Sequence, residues 1–353
     1  MKNLIVNLKG GTGNQLFQIA AGLSLAKINS KFCKYTSQEI SNNKYKRKIE
    51  ILPLLKELSI SEKNTYFNQN IIYLDQYDID HPIYYSNNSP LSKLENDIQI
   101  EGYFTNYRLH DDKVFRQIKS YINGIELIKE YKSHGYISVH IRELHGSGSN
   151  EIRGNIDCLD ITYYEKCLDE IIKYDPDRKI RNVIVFCDMW NNLKKSTLLP
   201  KLKGLLKNRG FKYINGDNNI NSSMELLNIF SNSKFSIISN STLSWWGAYL
   251  SDGIVFCPIM NLWEPDLKTL DHWKQIYSNE IMPKTHHLKS IYDTSILKDK
   301  EGYEKMYNLR RIRVIKFTRA ISSKLISITI FNKFKRWLRS IGILPENSYT
   351  TFV

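Results

Sequence analysis

The 353-residue sequence has no CxxC pair, and its five cysteines (Cys33, Cys158, Cys167, Cys187 and Cys257) are odd in number and widely spaced. That pattern gives neither a disulfide framework nor a zinc site. Cys187 and Cys257 end the apolar runs VIVFC and GIVFC, as small core residues do, and such usage fits a reducing cytosol. No apolar run is long enough to span a bilayer. Lys2 precedes only a short apolar stretch, broken by Asn7 and ended by Lys9, which does not read as a secretory signal. The expectation is a soluble cytoplasmic protein, attached at most to the inner face of the plasma membrane. There is no internal repeat and no recognisable nucleic-acid-binding motif, so no nucleic-acid partner is expected.

Two familiar phosphate loops are also missing. The segment Gly10-Gly11-Thr12-Gly13-Asn14-Gln15 lacks the Lys and Ser or Thr of a Walker A loop, and Leu16 stands where a dinucleotide fingerprint needs its third glycine. The metal-holding DxD pair occurs twice, as Asp78-Ile79-Asp80 and Asp175-Pro176-Asp177. The first has no clear strand before it and the second reads as a helix-ending turn, so no metal is expected.

What is present is an α/β pattern. Leu4 to Leu8 reads as a buried parallel-type strand, and Leu16, Ile19, Ala20 and Leu23 share one face of a following helix. The glycine turn between them permits positive φ and brings a helix N-terminus close to a ligand. Asn14 and Gln15 would then offer neutral amides at the mouth of a cleft, because open α/β sheets bind ligands at strand ends. A stretch rich in Asn, Tyr and Ser, about 42–92, has weak periodicity, and Ile98 to Phe104 reads as an alternating strand. Beyond Gly135 strands are expected at 136–141, 183–187, 211–214, 235–238 and 254–257, with helices at 161–174, 193–208, 222–232 and 242–250. Such alternation means βαβ units and parallel sheets, and the length suggests two domains with a cleft between them.

Charge is unevenly spread. Of the net +14, residues 301–353 carry +8, with eleven Lys or Arg against three Glu. This tail reads as a basic helix interleaved with Ile, Leu, Phe and Trp. It suits an anionic membrane surface, or else packs on the domains with a solvated basic face.

Three constellations could carry chemistry. His140 and Arg142 fall on one side of a strand's carboxyl end, where an arginine can grip phosphate. Ser239-Asn240-Ser241-Thr242-Leu243-Ser244-Trp245-Trp246 joins a strand to a helix; Ser241 or Thr242 would cap it, and the hydroxyls of Ser239, Ser241, Thr242 and Ser244 could join the helix amides around an anion. Trp245 and Trp246 would pack the helix on the sheet or stack on a ligand. Asp188 ends another strand, where its carboxylate could accept hydrogen bonds from a guanine edge. Glu225 opens the helix after Asn221-Ser222-Ser223, placed either to meet a guanine edge or to complement the helix dipole.

Together GGTGNQLFQIAAGLSLA, IEGYFTNYRL, ISVHIR, FCDMW, SSMELLNIFSNSKFSIISNST and SNSTLSWWGAYLS resemble, in order, the signature segments of the bacterial α-1,2-fucosyltransferases of glycosyltransferase family 11. The resemblance spans about residues 3–265. It implies a GT-B-like architecture: a Rossmann-like acceptor domain (1–132), a Rossmann-like GDP-sugar domain (133–300) and the basic helical tail (301–353). It implies inverting, metal-independent transfer of L-fucose from GDP-β-L-fucose to a galactose 2-hydroxyl, without a cofactor. The acceptor would be a cell-surface glycan such as an O-antigen, lipid-linked at the membrane. By resemblance His140 and Arg142 match the family's HxRRGD, and residues 239–244, Asn240 included, match its phosphate-cradling turn. Asn14 and Gln15 match the loop that faces sugar and acceptor.

One position departs. Glu143 stands where HxRRGD has its second arginine, and Leu144-His145 replace Gly-Asp. A carboxylate there weakens an electropositive donor site. The alternatives are a different GDP-sugar donor or a nucleotide-sugar-binding protein of low activity. Glu143 and His140 are the candidate proton acceptors.

Overall fold

The computed structural model describes residues 2–37, 49–63, 71–79, 82–106, 109–125, 135–142, 159–187, 196–258 and 272–276. The basic tail lies outside them, as do Glu143 and Asp188. The elements run β1 (Asn3–Asn7), α1 (Thr12–Ile28), β2 (Phe32–Thr36), α2 (Leu52–Glu57), β3 (Ile71–Asp75), α3 (Gln76–Ile79), β4 (Asp97–Glu101) and α4 (Asp112–Asn123). They continue β5 (Ile137–Ile141), α5 (Ile161–Tyr174), β6 (Asn182–Cys187), α6 (Leu198–Asn208), β7 (Lys212–Asn215), α7 (Ser223–Ser231), β8 (Phe235–Ile237), α8 (Thr242–Tyr249), β9 (Ile254–Pro258) and β10 (Trp273–Ile276).

Two parallel sheets result, β2-β1-β4-β3 and β10-β9-β8-β5-β6-β7, in a GT-B-like arrangement of two Rossmann-like units. Parallel strands covered on both faces need continuous apolar runs, and VIVF of β6 shows why. Val183 and Val185 pack into a core with α5 and α6, whereas Ile184 and Phe186 face a second core. In β5 the apolar Ile137, Val139 and Ile141 take the α5 side, leaving Ser138 and His140 for the other face. β4 is shorter than the reading of 98–104: the chain leaves it at Gly102, and Phe104 adopts a positive φ of 48°.

The second core is shared by both units. Trp245 and Trp246 are fully buried, and Phe17 of α1 lies 4.8 and 5.1 Å from their ring centres. Phe115 of α4 sits 4.9 Å from Trp246. The tryptophans therefore pack α8 onto the first unit and offer no face to a ligand. Among the described residues no helix is long and apolar enough to cross a membrane.

Candidate active site

The order of the six-stranded sheet reverses between β5 and β8: the chain winds to β6 and β7 on one side, then returns to β8 and β9 on the other. Ligands of open α/β sheets bind at such a switch point. His140 ends one of these strands and Ser239 follows the other, with His140 Nδ1 and Ser239 Oγ 2.6 Å apart. Two tyrosines of α5 brace the strand ends. The Tyr164 hydroxyl donates to the His140 carbonyl at 3.1 Å, and that of Tyr163 to the carbonyls of Ile238 and Phe256 at 2.7 and 3.0 Å. The sequence reading missed both, because a tyrosine on an apolar helix face carries no sign of where its hydroxyl goes.

Burial, reinforced by the nearby Arg142 charge, pushes the His140 pKa down to about 3. The ring is neutral at physiological pH and acts as a strut for the turn after β8. Arg142, directly after β5, is half-buried.

Ser241 occupies the N-cap position of α8, but neither it nor Thr242 caps with its side chain. The Ser241 amide donates to the Ser239 carbonyl at 2.8 Å. Three of the four hydroxyls expected around an anion are engaged within the protein: Ser239 with His140, Thr242 donating to Asn14 Oδ1 at 2.8 Å, and Ser244 donating to the Ser241 carbonyl at 3.2 Å. Only the Ser241 hydroxyl has no partner among the described residues. Asn240, half-buried, completes the turn.

The glycine turn comes to the same place. Gly10 has a φ of +76°, and Gly11 is the N-cap of α1 with no side-chain capping bond. Gly13 lies so close to α8 that an added Cβ would stand 2.4 Å from the Leu243 nitrogen. Two helix N-termini therefore converge beside the turn that His140 holds, and neither has an acidic residue in its first turn. Each carries roughly half a positive charge. Such a place suits an anion with several oxygens.

Other residues turn out to be structural. Gln15 is fully buried, its amide donating to the Gly10 carbonyl at 3.1 Å, so it does not stand at a cleft mouth. Gln18 and Gln76, which drew no attention in the sequence, hold the loops at the ends of β1 and β4. Gln18 accepts from the Lys9 amide at 3.0 Å and donates to the Gly102 carbonyl at 2.9 Å, and Gln76 accepts from the amides of Tyr103 and Phe104. Glu225 belongs to a capping box on α7: its amide donates to Ser222 Oγ, and its carboxylate accepts from the Asn221 amide at 2.9 Å. This is the dipole-complementing alternative for that residue. Asp175 accepts from the amides of Lys179 and Ile180, which makes its DxD pair a helix-ending turn. Among the described residues no group of three or more His, Cys, Asp or Glu could hold a metal ion.

The sequence pattern of the family described as Glycosyl transferase family 11 matches residues 4–279, from β1 through β10. The chain belongs to glycosyltransferase family 11. No curated protein matches this family 11 chain in sequence. Solved structures that resemble it include the E. coli ADP-heptose lps heptosyltransferase II, 12% identical, with 82% of this chain and 97% of that one covered at a TM-score of 0.42. POFUT1 in complex with GDP-fucose is 12% identical over 71% of this chain and 95% of its own, at 0.39. The fucosyltransferase NodZ from Bradyrhizobium is also 12% identical, over 71% and 93%, at 0.38. Likenesses this loose transfer neither substrate nor mechanism.

Proposed function

We propose that this family 11 glycosyltransferase moves L-fucose from GDP-β-L-fucose to the 2-hydroxyl of a galactose in a cell-surface glycan, with inversion and without a metal. The observation that carries the reading is the meeting of two helix N-termini, those of α1 and α8, next to the turn that His140 of β5 holds at the β5/β8 switch point. The resemblance of residues 239–247 to the family's most specific segment supports the same choice. In this reading the C1–oxygen bond of the donor breaks, its electron pair passes to the β-phosphate of GDP, and the acceptor oxygen bonds to C1 from the opposite face. Arg142, the first amides of α8 and the Ser241 hydroxyl hold the charge that develops on GDP. Asn14, fixed on Thr242, lies on the acceptor side. His140 serves as a neutral strut, since a group with a pKa of about 3 is a poor base near pH 7. Glu143 is the remaining proton acceptor of the motif.

The test is GDP release from GDP-fucose with and without lactose, repeated in EDTA. Acceptor-stimulated release that survives EDTA is expected, and Arg142→Ala should lower it by about 100-fold or more. Release only with another GDP-sugar would make Glu143 the mark of a different donor, and GDP binding without release from any GDP-sugar would make the chain a nucleotide-sugar-binding protein. Ser241→Ala is expected to leave the melting temperature unchanged, because its hydroxyl makes no capping bond, and to weaken GDP binding about 3- to 10-fold, the worth of one hydrogen bond. A thermal melt and a calorimetric titration check the two halves.

A further inference from the structure

A carboxylate outside every recognised motif joins the two units at this site. Glu50 precedes α2 in the first unit and is half-buried. Its Oε2 accepts from Thr12 Oγ1 at 3.0 Å and from the backbone amide of Ser223 at 3.0 Å. Thr12 is the first residue of α1 and Ser223 the first of α7. One oxygen thus bridges the first residues of two helices from different units. Three consecutive residues of α1 now touch the second unit. Thr12 reaches α7 through Glu50, Gly13 lies against the backbone of Thr242 and Leu243, and Asn14 accepts from the Thr242 hydroxyl.

We infer that Glu50 is a positioning residue for transfer: it holds the first turn of α1, and with it Asn14, closed on the start of α8. The inference rests on the function proposed above. Of the groups proposed to bind the nucleotide, Arg142, Ser241 and the start of α8 belong to the second unit, and only the start of α1 belongs to the first. Loss of the strut should therefore slow transfer far more than it loosens GDP. Glu50 has no sequence signal, standing 38 positions from Thr12 near the start of a weakly periodic stretch.

The test uses the full chain with Glu50→Ala, Glu50→Gln, Thr12→Val and the double variant Thr12→Val/Glu50→Ala. Glu50→Ala should lower kcat about 10- to 100-fold, as misplacement near reacting atoms does, while the calorimetric Kd for GDP stays within about threefold. Glu50→Gln, whose amide oxygen can still accept both bonds, should recover most of kcat. The double variant should be no slower than Glu50→Ala alone, because the two side chains act through one contact. Amide hydrogen exchange across 9–15 should rise in Glu50→Ala while that across 198–208 does not. Unchanged exchange at 9–15, or GDP affinity lost in parallel with kcat, overturns the inference. If the wild-type chain turns over no GDP-sugar, the proposed function fails instead. The exchange pattern and the coupling of Thr12 to Glu50 in melting temperature then still decide whether the strut exists. Should Glu50→Ala fail to fold, Thr12→Val carries the same comparison.

Discussion

Replacing Gly13 by alanine is expected to lower the melting temperature by several degrees and kcat by about 100-fold or more, as misplacement of reacting groups does. The direction is the informative part. In a helix interior, Gly to Ala ordinarily stabilises by roughly 0.5–1 kcal/mol. At Gly13 the new Cβ would stand 2.4 Å from Leu243 N, 2.5 Å from the Thr242 carbonyl carbon and 2.8 Å from Leu243 Cα. All three are backbone atoms at the start of another helix, so no side chain can swing aside. Overpacking of this kind costs about 1–3 kcal/mol. Relief requires α1 to back away from α8, which pulls Asn14 off the Thr242 hydroxyl and separates the two helix N-termini. Gly204, exposed in α6, provides the control: a Cβ there meets nothing within 4 Å. Gly204→Ala should raise stability by up to about 1 kcal/mol and leave turnover alone. Thermal melts and GDP release on the two variants decide the matter. A Gly13→Ala protein that is as stable and as fast as Gly204→Ala would mean the contact between units is not needed.

The central strands were legible because burial on both faces leaves continuous apolar runs, and β1, β5, β6, β8 and β9 all fall where those runs lie. Of the four edge strands only β7 (Lys212–Asn215) lies where a strand was expected, at 211–214; the other three were not legible. In β2, FCKYT, Phe32 is exposed and Lys34 faces away from the core; in β3, IIYLD, Tyr73 is exposed. A strand with one neighbour and a polar face gives no period to read. β10, WKQI, fails for the same reason at the other sheet's edge. Helix α4 is a different case. Asp111 caps it, and Val114, Phe115, Ile118 and Ile122 form one buried face. Its signal lies in the sequence itself, a capping Asp followed by apolar residues at helical spacing.

The site was legible as a set of residues and not as a set of roles. Ser239, Thr242 and Ser244 come together as expected, yet their hydroxyls fix the turn instead of facing a ligand, a distinction that depends on which neighbour lies within 3 Å. His140 beside Ser239 is of the same kind. Glu50, Gln18, Gln76 and the two tyrosines of α5 act across separations in sequence that no local pattern encodes.

Acid should destabilise this fold well before its carboxylates titrate, and two histidines set the window. His110 and His140 are both buried, and burial pushes each pKa down from 6.5 to about 3. His110 stacks on Phe115 with ring centres 5.7 Å apart and meets the edge of Phe17 at 6.4 Å, and its Nδ1 has no partner among the described residues. Above about pH 6.5 both rings are neutral folded or unfolded, so they add no pH dependence. As pH falls from 6.5 towards 3, the unfolded chain takes up two protons that the folded chain refuses, and stability declines at up to about 2.7 kcal/mol per pH unit. By pH 5 the loss reaches about 4 kcal/mol, a large share of the 5–15 kcal/mol typical of a folded domain. Asp97 and Asp111, held below their ordinary value of 3.8 by hydrogen bonds to lysines and backbone amides, add their own loss only at lower pH. Urea melts at pH 7.5, 6 and 5 should show the decline, and His110→Phe should halve its slope because the aromatic surroundings accept a phenyl ring without leaving a polar group unpaired. A stability that stays flat from pH 7.5 to 5, or a slope that His110→Phe does not change, would show that these rings titrate normally. The same argument bears on turnover: with His140 neutral throughout the folded range, an acid limb in the rate profile must belong to another group, and Glu143 is the first to substitute.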